Sequence, residues 1–225
     1  MNYLIVVAHP DDEVLGAGAT IHKLVAQGNK VAVCIMSSNA DARYKRSVSL
    51  SEDEETAMRI LGVQQVYHAD FPNIKMNTVP HLELVKYIES CIENFCADSI
   101  FTHHPSDTNN DHVITSYAAQ AASRLFQRKS GVPTLKEFVY MEVPSSTEWS
   151  FDSSSNRFTP NMFVEIGKDG VEIKLKALSA YKGVLRQYPH PRSSEAIEGL
   201  AAYHGVQAGC NYAEAFECVF RTLRG

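Results

Sequence analysis

No apolar run in the 225 residues approaches the roughly 20 that a membrane-spanning helix needs. No integral membrane segment is therefore expected. Basic residues are outnumbered, 21 Lys and Arg against 26 Asp and Glu, for a net charge of −5. The surface as a whole offers no field to draw nucleic acid or an anionic membrane. Cysteine is sparse: Cys34, Cys91, Cys96, Cys210 and Cys218 form no C-x-x-C pair, and their number is odd. That argues against a disulfide framework or a thiolate zinc site, and for reduced, mostly buried thiols. Trp149 is the only tryptophan. The start, Met1-Asn2-Tyr3, is not basic and leads straight into an apolar strand. No signal peptide is expected, and a cytoplasmic location is the default. Hydrophobic residues are 44% and charged residues 21%, a balance that fits a globular protein rather than a disordered one. The length suits one domain over residues 1–225, and a homo-oligomer is compatible with it.

Alternation organises the first half. Residues 3–8 (Y-L-I-V-V-A) form a short, continuous apolar run, as in a strand buried on both faces. A helical pattern follows, with Leu15, Ile21, Leu24 and Val25, and stops at Gly28. Residues 31–36 form a second strand. Ser51 and Glu54 have the spacing of a capping box for a helix with Met58 and Leu61, stopped by Gly62. Residues 65–68 form a third strand. Residues 79–95 carry one helical face with Leu82, Val85, Ile88, Ile92 and Phe95. Residues 99–102 form strand four, and a helix runs over 111–127. After Gly131 the pattern loosens. Residues 137–142 and 162–166 read as strands with a polar loop over 145–156 between them, and 171–185 and 193–203 read as helices. The expected fold is α/β: a Rossmann-like three-layer sandwich with a mostly parallel sheet. The C-terminal third is expected to cap the site.

In open α/β sheets ligands gather at the carboxyl ends of strands, near a switch point. His9-Pro10-Asp11-Asp12-Glu13 falls there. Three adjacent carboxylates repel unless a cation or hydrogen bonds compensate. Imidazole and carboxylate together suit Zn²⁺, with other divalent metals possible. An acid-rich helix N-terminus is the plain alternative, since the helix dipole favours it. It accounts for Asp12 and Glu13 but not for His9. Gly16 and Gly18 do not complete a dinucleotide fingerprint, because Ile21 stands at the third glycine position. They suit close packing near the site. A second cluster, His103-His104-Pro105-Ser106-Asp107 through Asn109, Asp111 and His112, follows strand four. Strands one and four are natural neighbours at a switch point, so the two clusters can face each other.

A-H-P-D-D-E followed about a hundred residues later by D-H resembles the PIG-L/LmbE-like family of zinc-dependent N-deacetylases. Residues 103–107, 109, 111–112, 144–149 (P-S-S-T-E-W), 189–193 (P-H-P-R-S) and 212–216 (Y-A-E-A-F) are similar to a bacterial branch of it. The resemblance implies His9, Asp12 and His112 as metal ligands and Asp11 as general base towards the water that Zn²⁺ activates. Glu13 and Asp111 would support the ligands, Asp111 by orienting His112. The implied substrate is an N-acetylated amino sugar or small glycoconjugate. The second cluster departs from the family, whose better-known members carry His-Pro-Asp-His. Asn109 stands in place of the first His and cannot supply a proton. Asp11, His104 or His190 could serve as acid, with His104 preferred because it shares the loop with His112. Asn77 and His204 are smaller departures.

Arg43, Arg192, Asn109 and His190 are candidates for holding the sugar, Arg192 and Arg43 through guanidinium donors. A solvated surface role is the alternative for both arginines. Trp149 can stack on a sugar ring or pack structurally. His22, His68 and His81 read as structural. Two other functions stay open: a Rossmann-like sugar-nucleotide-binding protein, and a sugar-binding relative without catalysis.

Overall fold

β1 (Asn2–Val7) is apolar at every position after its first because both of its faces are covered. In the computed structural model, which describes residues 1–37, 50–151 and 157–223, it lies in the interior of a seven-stranded sheet. The remaining strands are β2 (Lys30–Ile35), β3 (Gln65–His68), β4 (Ser99–His103), β5 (Glu137–Met141), β6 (Met162–Glu165) and β7 (Ala213–Arg221). The helices are α1 (Asp12–Ala26), α2 (Leu50–Leu61), α3 (His81–Phe95), α4 (Asn110–Ala122), α5 (Gly167–Ala180) and α6 (Ser194–Ala208). The strand order is β3-β2-β1-β4-β5-β7-β6. β1 to β5 are parallel, and β7 runs antiparallel between β5 and β6.

Strand alternation divides the core in two. Tyr3, Ile5 and Val7 of β1 point to one side, where α1, α2 and α5 supply Val14, Ile21, Met58, Leu61 and Leu178. Leu4, Val6 and Ala8 point to the other, against Leu84, Ile88 and Ile92 of α3 and Ala118, Ala119 and Ala122 of α4. Each fully buried Leu or Ile contributes about 1.5–3 kcal/mol. The layers are therefore helix, sheet, helix. Among the described residues no helix is long and apolar enough to cross a membrane.

β1 has β2 on one side and β4 on the other. The chain reverses its winding between β1 and β4, so the loops after these strands open into one crevice. Both expected clusters lie on those loops.

Several expectations need correction. The helix expected over 111–127 ends at Ala122, and Leu125–Gln127 is a separate 3-10 turn. α5 begins at Gly167 rather than 171, and α6 runs on to Ala208. Ser51 makes no capping box: α2 is already helical at Leu50, and the Glu54 carboxylate meets His68 Nε2 at 2.6 Å. The C-terminal third is more than a cap. It adds two strands to the sheet, and α5 packs on α1 and α2.

α1 is not continuous. Ala17 leaves helical geometry at φ −146°, ψ 18°. Glu214 of β7 fills the break, accepting from the Ala19 and Thr20 N–H groups at 3.3 and 2.7 Å. Its charge is met by buried Lys174 of α5 at 2.6 Å. Gly16, one residue before the break, sits where a Cβ would fall 2.6 Å from Met141 Sδ, so the sequence-level reading of close packing there holds.

Candidate metal centre and active site

β1 delivers His9 and Asp12 from its carboxyl end. Asp11 lies between them in the left-handed region, at φ 94°, ψ −25°, the position just before α1. A non-glycine residue holds that conformation only when its surroundings compel it. Glu13 does so here. One carboxylate oxygen takes the Asp11 N–H at 3.1 Å, and the other takes the Tyr181 hydroxyl at 2.7 Å. Glu13 is fully buried, and burial pushes its carboxyl well above the usual carboxylate range. Burial, then the charge of Glu13, pushes the Tyr181 phenol up as well.

Asp12 Oδ2 is the hub of the centre. His9 Nδ1 stands 3.3 Å from it and His112 Nε2 3.2 Å. Donors sharing one tetrahedral Zn²⁺ at 2.0–2.2 Å stand about 3.3–3.6 Å apart, which both separations from Asp12 approach, and all three donor atoms lie within 4.8 Å of one another. Charge points the same way. Burial disfavours the imidazolium of His9, but hydrogen bonds to Asp111 and Asp12 outweigh it and push the group up to about 9. Burial likewise opposes His112, and Asp12 and Asp107 push it up to about 10. Burial opposes the Asp12 carboxylate, yet His112 and His9 hold it well below the usual range. The cluster thus calls for positive charge, which a divalent cation supplies in place of two protons.

A second ring of acids fixes the imidazoles. Asp111 Oδ2 meets His9 Nε2 at 3.2 Å, and the carboxylate also takes the Ile74 and Met76 N–H groups at 2.5 and 3.1 Å. Asp107 Oδ2 meets His112 Nδ1 at 3.1 Å. Ser146 and Thr147 donate to Asp107, Thr147 at 2.9 Å. Asp111 therefore orients His9, whereas the sequence reading paired it with His112; Asp107 has that place. Each His is left presenting its other nitrogen to the centre, His9 through Nδ1 and His112 through Nε2.

His103 lies behind His112, stacked at 3.9 Å with a 15° tilt. Its Nε2 accepts the Ala8 N–H at 2.8 Å. Burial, then the His112 charge, pushes it down to about 3, which keeps it neutral. A second possible ligand group, His103, Asp107 and His112, is fully buried. The Asp107 hydrogen bond and the Ala8 contact already engage it, so the His9 group is the better centre.

The remaining expected residues scatter. His104 is buried between Tyr140 and Phe158, with ring centroids at 5.5 and 5.7 Å. Its Nδ1 meets Ser106 Oγ at 2.7 Å and its Nε2 meets Glu217 at 3.4 Å, so its described polar contacts lead away from the centre. Asn109 caps α4, its side-chain oxygen accepting the Asp111 N–H at 3.0 Å. Arg192 does reach the site: Nη1 lies 3.4 Å from Asp11 Oδ2, and Nε donates to Ser145 Oγ at 2.6 Å. His190 is exposed, and its Nδ1 accepts the Arg192 N–H at 3.0 Å. Slight burial, then Arg192 and Arg186, hold its imidazole below the usual value. Arg43 lies outside the described residues. Sequence reading did not assign Asp107, Ser146, Thr147 or Tyr181 a part. The Ser-Ser-Thr-Glu-Trp run was the available signal for two of them.

The chain is similar to known proteins over most of its length. The chain is 27% identical over 187 residues to the uncharacterized deacetylase YaiS of Escherichia coli, covering 80% of this chain and 89% of that protein. It is 24% identical over 229 residues to the diacetylchitobiose deacetylase of Thermococcus kodakarensis, covering 96% and 82%. Among solved structures, the 4-carboxy-2-hydroxymuconate hydratase GalB of Pseudomonas putida shares the fold with a TM-score of 0.77 at 21% identity, covering 100% of this chain and 98% of that one. Residues 4–123, more than half of the chain, match the family model described as PIG-L: GlcNAc-PI de-N-acetylase, and the protein belongs to that family.

Proposed function

We propose that this protein is a metal-dependent N-deacetylase that removes an acetyl group from an amino sugar or small glycoconjugate, with Zn²⁺ as the metal. One observation carries the reading. A ligand triad of His9, Asp12 and His112 stands beside a carboxylate, Asp11, whose backbone is held in a strained conformation. The shared fold alone would not select this chemistry, since a hydratase has it too. A metal-free sugar or sugar-nucleotide binder would have no use for such a centre.

A divalent metal held by the triad supplies a Lewis acid for the amide carbonyl and for water. The chain's own residues do the rest. Asp111 and Asp107 keep His9 and His112 in the tautomers that present Nδ1 and Nε2. Asp11 takes a proton from the attacking water as the new C–O bond forms. Glu13 and Tyr181 fix the backbone from which Asp11 acts. The same proton passes from Asp11 to the amine nitrogen as the C–N bond breaks, giving acetate and the free amino sugar. Asp11 serves as both base and acid, because Asn109 has no proton to give and His104 is engaged elsewhere. Arg192, with His190 beside it, offers donors to sugar hydroxyls.

The test is acetate release from a panel of N-acetylated amino sugars, with and without a chelator. Release that stops with the chelator and returns with Zn²⁺ is expected. A metal-loaded protein that releases acetate from none of them would remove the reading.

A further inference from the structure

We propose that Trp149 and Phe151 form a platform for a second pyranose of an oligosaccharide substrate, next to the ring that carries the amide. The inference rests on the deacetylase reading and adds a substrate preference to it.

Position comes first. The segment 145–151 follows β5, and its first three residues bond groups that surround the centre. Ser146 and Thr147 hold Asp107, which holds the ligand His112. Ser145 holds Arg192, which reaches Asp11. One turn is therefore two contacts from His112 and two from Asp11.

Rigidity is second. The Glu148 carboxylate folds back onto the N–H groups of Ser145 and Ser146, at 2.6 and 3.1 Å. Ser145 sits at φ 74°, a left-handed conformation that this carboxylate helps to hold. Thr147–Trp149 is a 3-10 turn, and the Trp149 N–H donates to Ser146 at 3.2 Å. The tryptophan is thus carried by a braced turn.

Exposure is third. Trp149 is 53% exposed and Phe151 72%, with ring centroids 5.2 Å apart. Neither belongs to the two hydrophobic clusters of the core. Tyr188 is also exposed, on the loop that carries Arg192. An aromatic face suits a pyranose, whose axial C–H groups meet the ring while its hydroxyls keep water or polar partners. Arg192, Ser145 and His190 supply such partners nearby. A single acetylated ring engaged at the metal leaves these aromatic faces to its neighbour.

Because Trp149 is the only tryptophan, its fluorescence reports on the platform directly. The experiment titrates the zinc-loaded Asp11→Asn protein with N-acetylglucosamine and with N,N′-diacetylchitobiose. In parallel, acetate release from both saccharides is followed for the unaltered enzyme, Trp149→Ala and Phe151→Ala. A saturable fluorescence change with the disaccharide, larger than with the monosaccharide, is expected. Each substitution lowers the disaccharide-to-monosaccharide ratio of kcat/KM by about two- to tenfold. An unchanged ratio, or a silent Trp149 while the disaccharide is turned over, overturns the platform and leaves the deacetylase reading intact. A fluorescence change without acetate release from either saccharide supports the platform, and the wider panel then decides the deacetylase reading. Silence in both overturns the platform.

Discussion

Asp11 and His112 lie within one small centre, yet they answer to different physics. In the proposed mechanism His112 is a donor to the cation, and its loss would leave Asp12 and His9 to hold the charge alone. Asp11, the proposed base, would handle a proton and stands outside the triad. Asp11→Asn is therefore expected to keep stoichiometric Zn²⁺ while kcat falls by about 10²–10⁴-fold. His112→Ala is expected to lose the metal on gel filtration. Metal analysis beside turnover separates the two, and equal metal loss in both would undo the division of roles. The residues of this division were marked in the sequence by their clustering after two apolar strands, and the roles proposed for them came from the resemblance to the PIG-L/LmbE-like family. Their supporting partners were not. Asp107 and Asp111 are both acids near His112 in sequence, and only the winding of the loop decides which imidazole each one meets. Tyr181 is separated from Glu13 by 168 residues, so nothing local announces it.

At the scale of elements, β1, β2 and β4 could be read because parallel strands covered on both faces are largely apolar. β7 could not. Its sequence, A-E-A-F-E-C-V-F-R, places Glu214 and Glu217 between apolar residues, and each acid has a specific tertiary partner. α6 offers a clean test of packing against propensity. A Cβ at Gly205 would fall 2.6 Å from backbone atoms of Asn211, which cannot swing aside, whereas at Gly199 it would meet nothing within 4 Å. Gly205→Ala is expected to cost about 1–3 kcal/mol. Gly199→Ala is expected to gain about 0.5–1 kcal/mol, the ordinary helix preference for alanine. Thermal midpoints of the two variants check both signs.

For the whole molecule, metal and pH are linked. Without metal, His9 and His112 titrate at about 9 and about 10, above their ordinary value. Their contribution to stability is complete below about pH 6.5 and is lost as pH rises through those higher values. His103 works in the opposite sense. Its folded value of about 3 means that stability falls as pH drops below about 6.5. Asp12, held low, adds stability that is lost in acid. The groups of the metal-free centre should therefore contribute most near about pH 6.5 and less towards about pH 9.5. Bound Zn²⁺ takes the place of the two imidazolium protons and removes the alkaline decline. Urea midpoints of chelated and zinc-loaded protein at these two pH values measure it. A chelated protein that is as stable at the higher value as at the lower would contradict the charge balance described for the centre.

The pairing of β1 with β4 has a kinetic meaning. His9 and Asp12 leave one strand and His112 follows the other, with about a hundred residues of chain between them. The triad does not exist until the two strands lie side by side. A metal ion cannot then template the sheet; it can only latch one already formed. Such a latch acts on the rate of opening rather than on the rate of assembly. The centre proposed to carry out the chemistry would thus also guard the β1–β4 strand pair against coming apart.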